Sequence, residues 1–302
     1  MKKQIMTTAL ASMVALSSVA VTSFEQPQVH AATVSQNNQA AVEAKANELI
    51  KTAKGIMGKA TYSTAVYKKT APYQFSCATF LNFIFEKHGV DLATYNENYM
   101  MQQGTAVSKA NLQKGDLVFF DSNRRDREPA DHVGMYIGNN QIIHMADAKQ
   151  NIIVSDLNGK AYYRDNYTGA RRVLPSLMSG SPATAGDKVV ASSYSLMKST
   201  QAASVTNAGF VQQAFKRNGI QLGGSLQEQM KKGTFIPKSQ LKKGDIVFFN
   251  GTTGSSKPAM AAIYAGDHRI IMKTSSGVVS RVLFVDWYEQ HYLTARRVLK
   301  SQ

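Results

Sequence analysis

The chain has 302 residues, a formal net charge of +15, 43% hydrophobic residues and a single cysteine. That length accommodates two domains of ordinary size. One cysteine excludes an internal disulfide framework and a Cys-cluster metal site, and neither metal nor cofactor is expected. The basic surplus draws polyanions by long-range field or simply serves solubility. No basic run interleaved with aromatics marks a groove binder, so no nucleic-acid partner is expected.

In chain order, Lys2 and Lys3 precede an Ala/Val-rich apolar run over residues 5–21, and Val29-His30-Ala31 reads as a small-residue cleavage site. Residues 1–31 are therefore read as a secretory signal. No second long apolar stretch follows, so no stable membrane insertion is expected after cleavage. Outside a cell, anionic wall polymers suit the basic charge. Residues 32–46 form an N-terminal segment, polar and frayed over 33–40, and residues 41–54 read as an amphipathic helix ending at Gly55 or Gly58.

The next helix carries the cysteine. Cys77, Phe80, Leu81, Ile84, Phe85 and His88 fall on one apolar stripe of helical spacing. Ser76 stands as N-cap and puts Cys77 in the first turn, where unpaired N–H groups favour an anion. A thiol there, with a histidine beside it, falls to a pKa of roughly 3.5–7.5. The same pattern also describes a small buried hydrophobe. An unpaired cysteine in an exported chain is a reactive thiol, a passenger or an intermolecular bridge.

The chain contains itself twice. NLQKGDLVFF at 111–120 returns as QLKKGDIVFF at 240–249, MYIGNNQII at 135–143 as IYAGDHRII at 263–271, and GARRVL at 169–174 as TARRVL at 294–299. Between the copies, residues 175–188 are rich in Ser, Gly, Pro and Ala and read as a linker. The resulting division is 47–174 for the first copy and 189–302 for the second. In the second copy Asn207, Met260 and Met272 replace Cys77, His132 and His144. Joint loss of three residues within a kept framework points to loss of one shared function.

Residues 116–120 and 132–137 read as strands, and 141–145 as the return strand of a hairpin. A two-residue turn at Asn139-Asn140 places His132 and His144 on opposite faces. A three-residue loop over 138–140 pairs Gly134 with His144 and puts both rings on one face, and this loop is the one expected. His88, His268 and His291 have no counterpart in the other copy and are read as incidental. Arg124, Arg125, Asp126, Arg127 and Glu128 form a charged loop before His132 that either lines a cleft or is merely solvated.

The order of helix-borne Cys, GDLVFF, HVGMYIG, IIH and ARRV resembles the NlpC/P60 cysteine peptidases of bacterial cell walls. The resemblance implies two tandem papain-like α+β domains, each with its helical part packed on an antiparallel sheet, the second degenerate and non-catalytic. It implies hydrolysis of amide bonds in peptidoglycan stem peptides, often the γ-D-glutamyl to diamino-acid link, by a secreted, wall-located thiol peptidase. Carried onto this chain, Cys77 matches the nucleophile, His132 the general base and acid, and His144 the orienting residue. Tyr62 matches the upstream substrate-binding tyrosine loosely, without the usual Gly-Gly pair after it. Where the family reads Asp-Cys-Ser-Gly, this chain reads Ser76-Cys77-Ala78-Thr79, so Ser76 borders the substrate without the charge that holds a free amine. A different bond, or an amidase or acyl transferase activity on another γ-glutamyl or acyl substrate, uses the same site. A non-catalytic, basic wall-binding module explains the charge and the second copy but leaves Cys77, His132 and His144 without a role.

Overall fold

The computed structural model describes residues 36–125, 128–178, 182–200 and 204–299. The expected signal segment and Asp126 and Arg127 of the charged loop lie outside these residues. Helix α1 (Gln36–Gly55) already starts at Gln36, so residues 36–40 are helical rather than frayed, and the helix runs unbroken through residue 46. Val42, Ala46, Leu49 and Ala53 explain its anchoring, because all four are buried in the first core.

A short parallel pair follows, β1 (Ala60–Tyr62) and β2 (Tyr73–Phe75). Helix α2 (Cys77–Lys87) then begins at a capping box. Ser76 Oγ accepts from the Thr79 N–H at 3.3 Å, and Thr79 Oγ1 accepts from the Ser76 N–H at 2.7 Å. Phe80, Leu81, Ile84 and Phe85 are fully buried, each contributing roughly 1.5–3 kcal/mol of hydrophobic stabilisation. The helix stops at His88, whose Nε2 shares a hydrogen bond with Thr52 Oγ1, and Gly89 turns away at φ +74°.

Beyond α3 (Glu97–Met100), the first copy builds an antiparallel sheet from β3 (Thr105–Ala106), β4 (Leu117–Phe120), β5 (His132–Gly138), β6 (Gln141–Met145), β7 (Ile152–Asp156) and β8 (Tyr167–Arg172), in the order β3-β8-β4-β5-β6-β7. Helix α4 (Ala161–Asp165) lies between β7 and β8. Side chains alternate across the sheet. Phe119, Val133, Met135, Ile143 and Met145 face α1 and α2, while Val118, Phe120, Ile142 and Tyr163 make the core of the other face.

The stretch expected as a linker is helical at both ends, in α5 (Leu174–Leu177) and α6 (Ala185–Met197). The second copy continues with α7 (Asn207–Lys216), α8 (Leu226–Met230), β9 (Thr234–Phe235), β10 (Ile246–Asn250), β11 (Pro258–Gly266), β12 (Arg269–Thr274), β13 (Gly277–Val282), α9 (Asp286–His291) and β14 (Tyr292–Arg297). Its sheet order, β9-β14-β10-β11-β12-β13, reproduces the first strand for strand.

The recurring GD and ARR motifs have a structural explanation. Arg172 Nε and Nη2 donate to the two oxygens of buried Asp116 at 3.0 and 2.9 Å, and Arg297 does the same to Asp245 at 2.7 Å in both bonds. These bidentate pairs tie the last strand of each sheet to the turn before its central strand.

Candidate active site

His132 opens β5 and His144 lies near the end of β6. The hairpin between them corrects the expected loop. Gly138 pairs with Gln141, leaving a two-residue turn at Asn139-Asn140 with both residues at positive φ, 50° and 57°. A register shift between Tyr136 and Gly138 adds one unpaired residue to β5 and restores Met135↔Ile143. Gly138, at φ +93°, supplies the backbone conformation the bulge needs. The rings therefore share a face, by a bulge rather than a longer loop. Gly134 makes room between the strands, since a Cβ there would lie 3.2 Å from that of His144.

His132 Nε2 and His144 Nδ1 are 2.8 Å apart, with the rings edge to face at a centroid distance of 4.9 Å. His144 Nε2 meets Ser155 Oγ at 3.0 Å and Tyr163 Oη at 3.1 Å. Both imidazoles are buried. Burial, opposed by the Asp131 charge, takes His132 down to about 4. Burial first, then His132 and Lys160, takes His144 to about 2. Both rings are neutral at pH 7.

Cys77 starts α2 and belongs to the core on the helix side of the sheet, with Val133, Met135 and Ile143. The residue is only 8% exposed, and the backbone N–H groups of Val133, Ala78 and Cys77 itself face the sulfur. The sign of its titration is opposite to the expectation from the helix start. Burial first, then the Glu97 carboxylate, push the thiol up to about 12, and the three N–H groups only partly oppose them. Desolvation of a thiolate in a packed site outweighs one helix turn of dipole.

The second copy shows what the sulfur replaces. Asn207 Nδ2 donates to Ala261 O and Lys273 O, both at 2.9 Å, and its Oδ1 accepts from the Ala261 N–H at 2.7 Å. Two steps beyond the last β11–β12 pair, Ile263↔Ile271, the register sets Ala261 opposite Lys273, so the amide stands in for ladder bonds between them. Val133 and Met145 are the matching pair of β5 and β6. Met272, in the place of His144, receives a long contact from the Tyr288 hydroxyl, 3.9 Å from its sulfur.

Other expected residues sit as follows. Tyr62 ends β1 half-buried, its N–H donating to Asn151 Oδ1 at 2.8 Å. Burial first, then the charges of Cys77, Glu97 and Asp147, raise its hydroxyl pKa. The Ser76 hydroxyl is engaged with Thr79 at the helix start. In the charged loop, Glu128 accepts from Asn98 Nδ2 and Arg124 donates to the Asp165 carbonyl. The sequence reading missed Ser155, Tyr163 and Glu97. Glu97, half-buried at the start of α3, is itself held above its ordinary range by burial, Asp131 and Glu128. Among the described residues, no group of three or more His, Cys, Asp or Glu could hold a metal, and no helix is long and apolar enough to cross a membrane.

The NlpC/P60 family model matches residues 60–172 and again residues 194–297, together more than half of the chain. The chain belongs to the NlpC/P60 family. Its NlpC/P60 relatives include gamma-DL-glutamyl hydrolase of Bacillus subtilis, 28% identical over 260 residues, which cover 82% of this chain and 60% of that protein. Gamma-D-glutamyl-L-lysine dipeptidyl-peptidase of Bacillus cereus is 34% identical over 130 residues, 43% of this chain and 37% of that one. Murein DD-endopeptidase MepS/Murein LD-carboxypeptidase of Escherichia coli K12 is 41% identical over 101 residues, 32% and 49% of the two chains. The chain thus spans between 37% and 60% of the length of these relatives.

Proposed function

We propose that this NlpC/P60 protein is a cysteine peptidase that hydrolyses a γ-glutamyl amide bond in peptidoglycan stem peptides, acting outside the cell at the wall. Two relatives carry γ-glutamyl bonds in their names and a third is named for murein, which supports both the bond class and the polymer. The net charge of +15 suits a wall rich in anionic polymers. Residues 47–174 serve as the catalytic domain, 175–188 as the connection and 189–302 as the non-catalytic copy.

The observation that carries this reading is the hydrogen-bonded chain from His132 through His144 to Ser155 and Tyr163. For His132 to accept a proton from the thiol, its Nδ1 must hold a lone pair, because Nε2 is turned to His144. Its Nε2–H then donates to His144 Nδ1, and the His144 Nε2–H donates onward to the Ser155 or Tyr163 oxygen. Each ring is locked in one tautomer. His144, held neutral, orients His132 without competing for its proton.

The resting pair is a neutral thiol and a neutral imidazole, so the proton moves as the sulfur attacks. The S–H proton passes to His132 Nδ1 while Sγ bonds to the scissile carbonyl carbon. The N–H groups of Cys77, Ala78 and Val133 that face the sulfur are the candidate donors to the oxyanion. His132 then protonates the leaving amine, a thioester remains on Cys77, and water, deprotonated by His132, releases the acid and restores the thiol. Tyr62 and Glu97 flank the substrate. The role of Ser76 is to cap the helix that positions Cys77.

Incubation of purified sacculi with the protein should release peptides with new amino termini at γ-glutamyl bonds, identified by mass. Cys77→Ala should abolish release while the protein stays folded. Release undiminished by Cys77→Ala would refute the assignment.

A further inference from the structure

The second copy lacks the thiol and both imidazoles, yet it grips one particular part of the first. Residues 91–104 leave the end of the α2 region, carry Glu97 and α3, and return to β3. The buried Gln103 side chain closes the neck of this loop by donating to the Leu92 carbonyl at 2.7 Å. Both sides of that neck are held from the second copy. At one side, Arg269 Nη1 donates to the Asp91 carbonyl at 3.2 Å and the Tyr194 hydroxyl donates to Asp91 Oδ2 at 3.1 Å. At the other, both oxygens of Asp267 accept from the Gly104 N–H at 3.0 Å. Only glycine fits there, because the residue is at φ +61° and any Cβ would meet the Arg172 carbonyl oxygen at 2.3 Å. Near the tip, the Tyr99 ring packs on Phe284 at 5.6 Å.

The loop in turn bonds to the segments that carry the reacting groups. Asn98 Oδ1 accepts from the Ala130 N–H at 2.8 Å, two residues before His132. The Asn82 amide of α2 donates to the Thr94 carbonyl at 2.7 Å, linking the loop to the helix that bears Cys77. Glu97 is the carboxylate whose charge bears on both Cys77 and Tyr62. Of the gripping residues, Asp267 is the first of the two turn residues of the β11–β12 hairpin, Asp267-His268, and Arg269 directly follows the turn, which is the counterpart of the first copy's Asn139-Asn140.

We infer that the degenerate copy is a scaffold for the catalytic domain of the first, with Asp267 and Arg269 acting as positioning residues that hold the 91–104 loop, with Glu97 on it, against the Cys77-bearing helix and the segment that leads into His132. The role rests on the hydrolase reading for its consequence in turnover, but not for its effect on the loop itself. A loop fixed at its neck presents Glu97 at a set distance from the substrate, so loosening the neck lowers the population of the competent arrangement. A charged acceptor lost from Gly104 corresponds to roughly tenfold in that population.

The test uses the full-length protein with Asp267→Ala, Asp267→Asn and Arg269→Lys. Asp267→Ala should raise KM for a γ-glutamyl stem peptide by roughly tenfold with kcat changed far less. It should speed amide exchange over residues 92–104 while α2 stays protected. It should also move the pH midpoint of Cys77 alkylation by iodoacetamide downward, toward that of Glu97→Gln. Asp267→Asn, which keeps an acceptor for the Gly104 N–H, should restore most of each, and Arg269→Lys should show a weaker version of the alanine effect. A folded Asp267→Ala protein with wild-type exchange over 92–104 and a wild-type alkylation profile overturns the inference. Absence of hydrolysis by the unaltered protein would instead defeat the hydrolase reading, and the exchange and alkylation measurements would still decide this one.

Discussion

Asn207 occupies in the second copy the place that Cys77 holds in the first, and its amide joins two strands at a point where the sulfur leaves their counterparts unjoined. Three hydrogen bonds to Ala261 and Lys273 satisfy the amide completely on the strand side. Asn207→Ala should therefore lower unfolding stability by about 3 kcal/mol, because it strands backbone groups inside a packed sheet. Cys77→Asn should remove the nucleophile yet keep or slightly raise stability, by supplying Val133 and Met145 with the same clamp. Urea unfolding of both variants checks this, and an Asn207→Ala change within experimental error of zero contradicts it.

Cys77 should behave as a sluggish thiol in the free protein. Burial and Glu97 raise its pKa, so iodoacetamide alkylation should be slow at pH 7 and still rising beyond the ordinary cysteine range near 8.5. Glu97→Gln removes the opposing charge and should shift the rise to lower pH. A plateau of rapid alkylation between pH 5 and 7 would show a resting thiolate and reverse the sign assigned here.

The relay beyond His132 should be non-additive. Replacing His144 by Ala should cost on the order of 100-fold in kcat with little change in KM, since it removes orientation rather than binding. Tyr163→Phe alone leaves Ser155 as acceptor for His144 Nε2–H and should cost little. The double variant Tyr163→Phe with Ser155→Ala strands that N–H and should cost far more than the two single changes multiplied. Steady-state kinetics of the four proteins decides the point; simple multiplicativity rules it out.

Stability should fall on the acid side. The folded-state pKa of His132 is depressed, so its contribution is complete above the unfolded value near 6.5 and is lost as pH falls toward about 4. That difference corresponds to about 3 kcal/mol for His132. His144, depressed for the same reason of burial, carries the decline lower still. Melting curves between pH 7 and 4 should show this slope, and a His132→Gln variant should flatten the upper part of it. An equal slope in that variant would mean the ring is already solvated.

Much of this architecture is legible in residue order because it is local. The stripe from Cys77 to Phe85, the Ser76 cap and the alternating strands follow from short-range periodicity, and the repeat shows in matching strings. The missed features are tertiary. Ser155 and Tyr163 reach His144 from β7 and α4 with no spacing that announces them. Glu97 starts a four-residue helix in a loop without pattern. The direction of the Cys77 titration depends on how much water the finished fold removes, and a helix-start argument omits that quantity. The bulge before Gly138 was hidden because a longer loop produces the same pairing.

That bulge makes the geometry of the histidine pair a matter of parity. Residues along a strand point alternately up and down, so the single uncounted residue between Tyr136 and Gly138 decides whether an even or an odd number of steps separates the two rings. Lose it, and every side chain of the return strand changes sides at once, sending His144 toward the helices and Ile143 toward Phe120. Tolerance to substitution at this corner is therefore compatible with complete intolerance to insertion or deletion, and variation between kindred chains should change its letters while preserving its length.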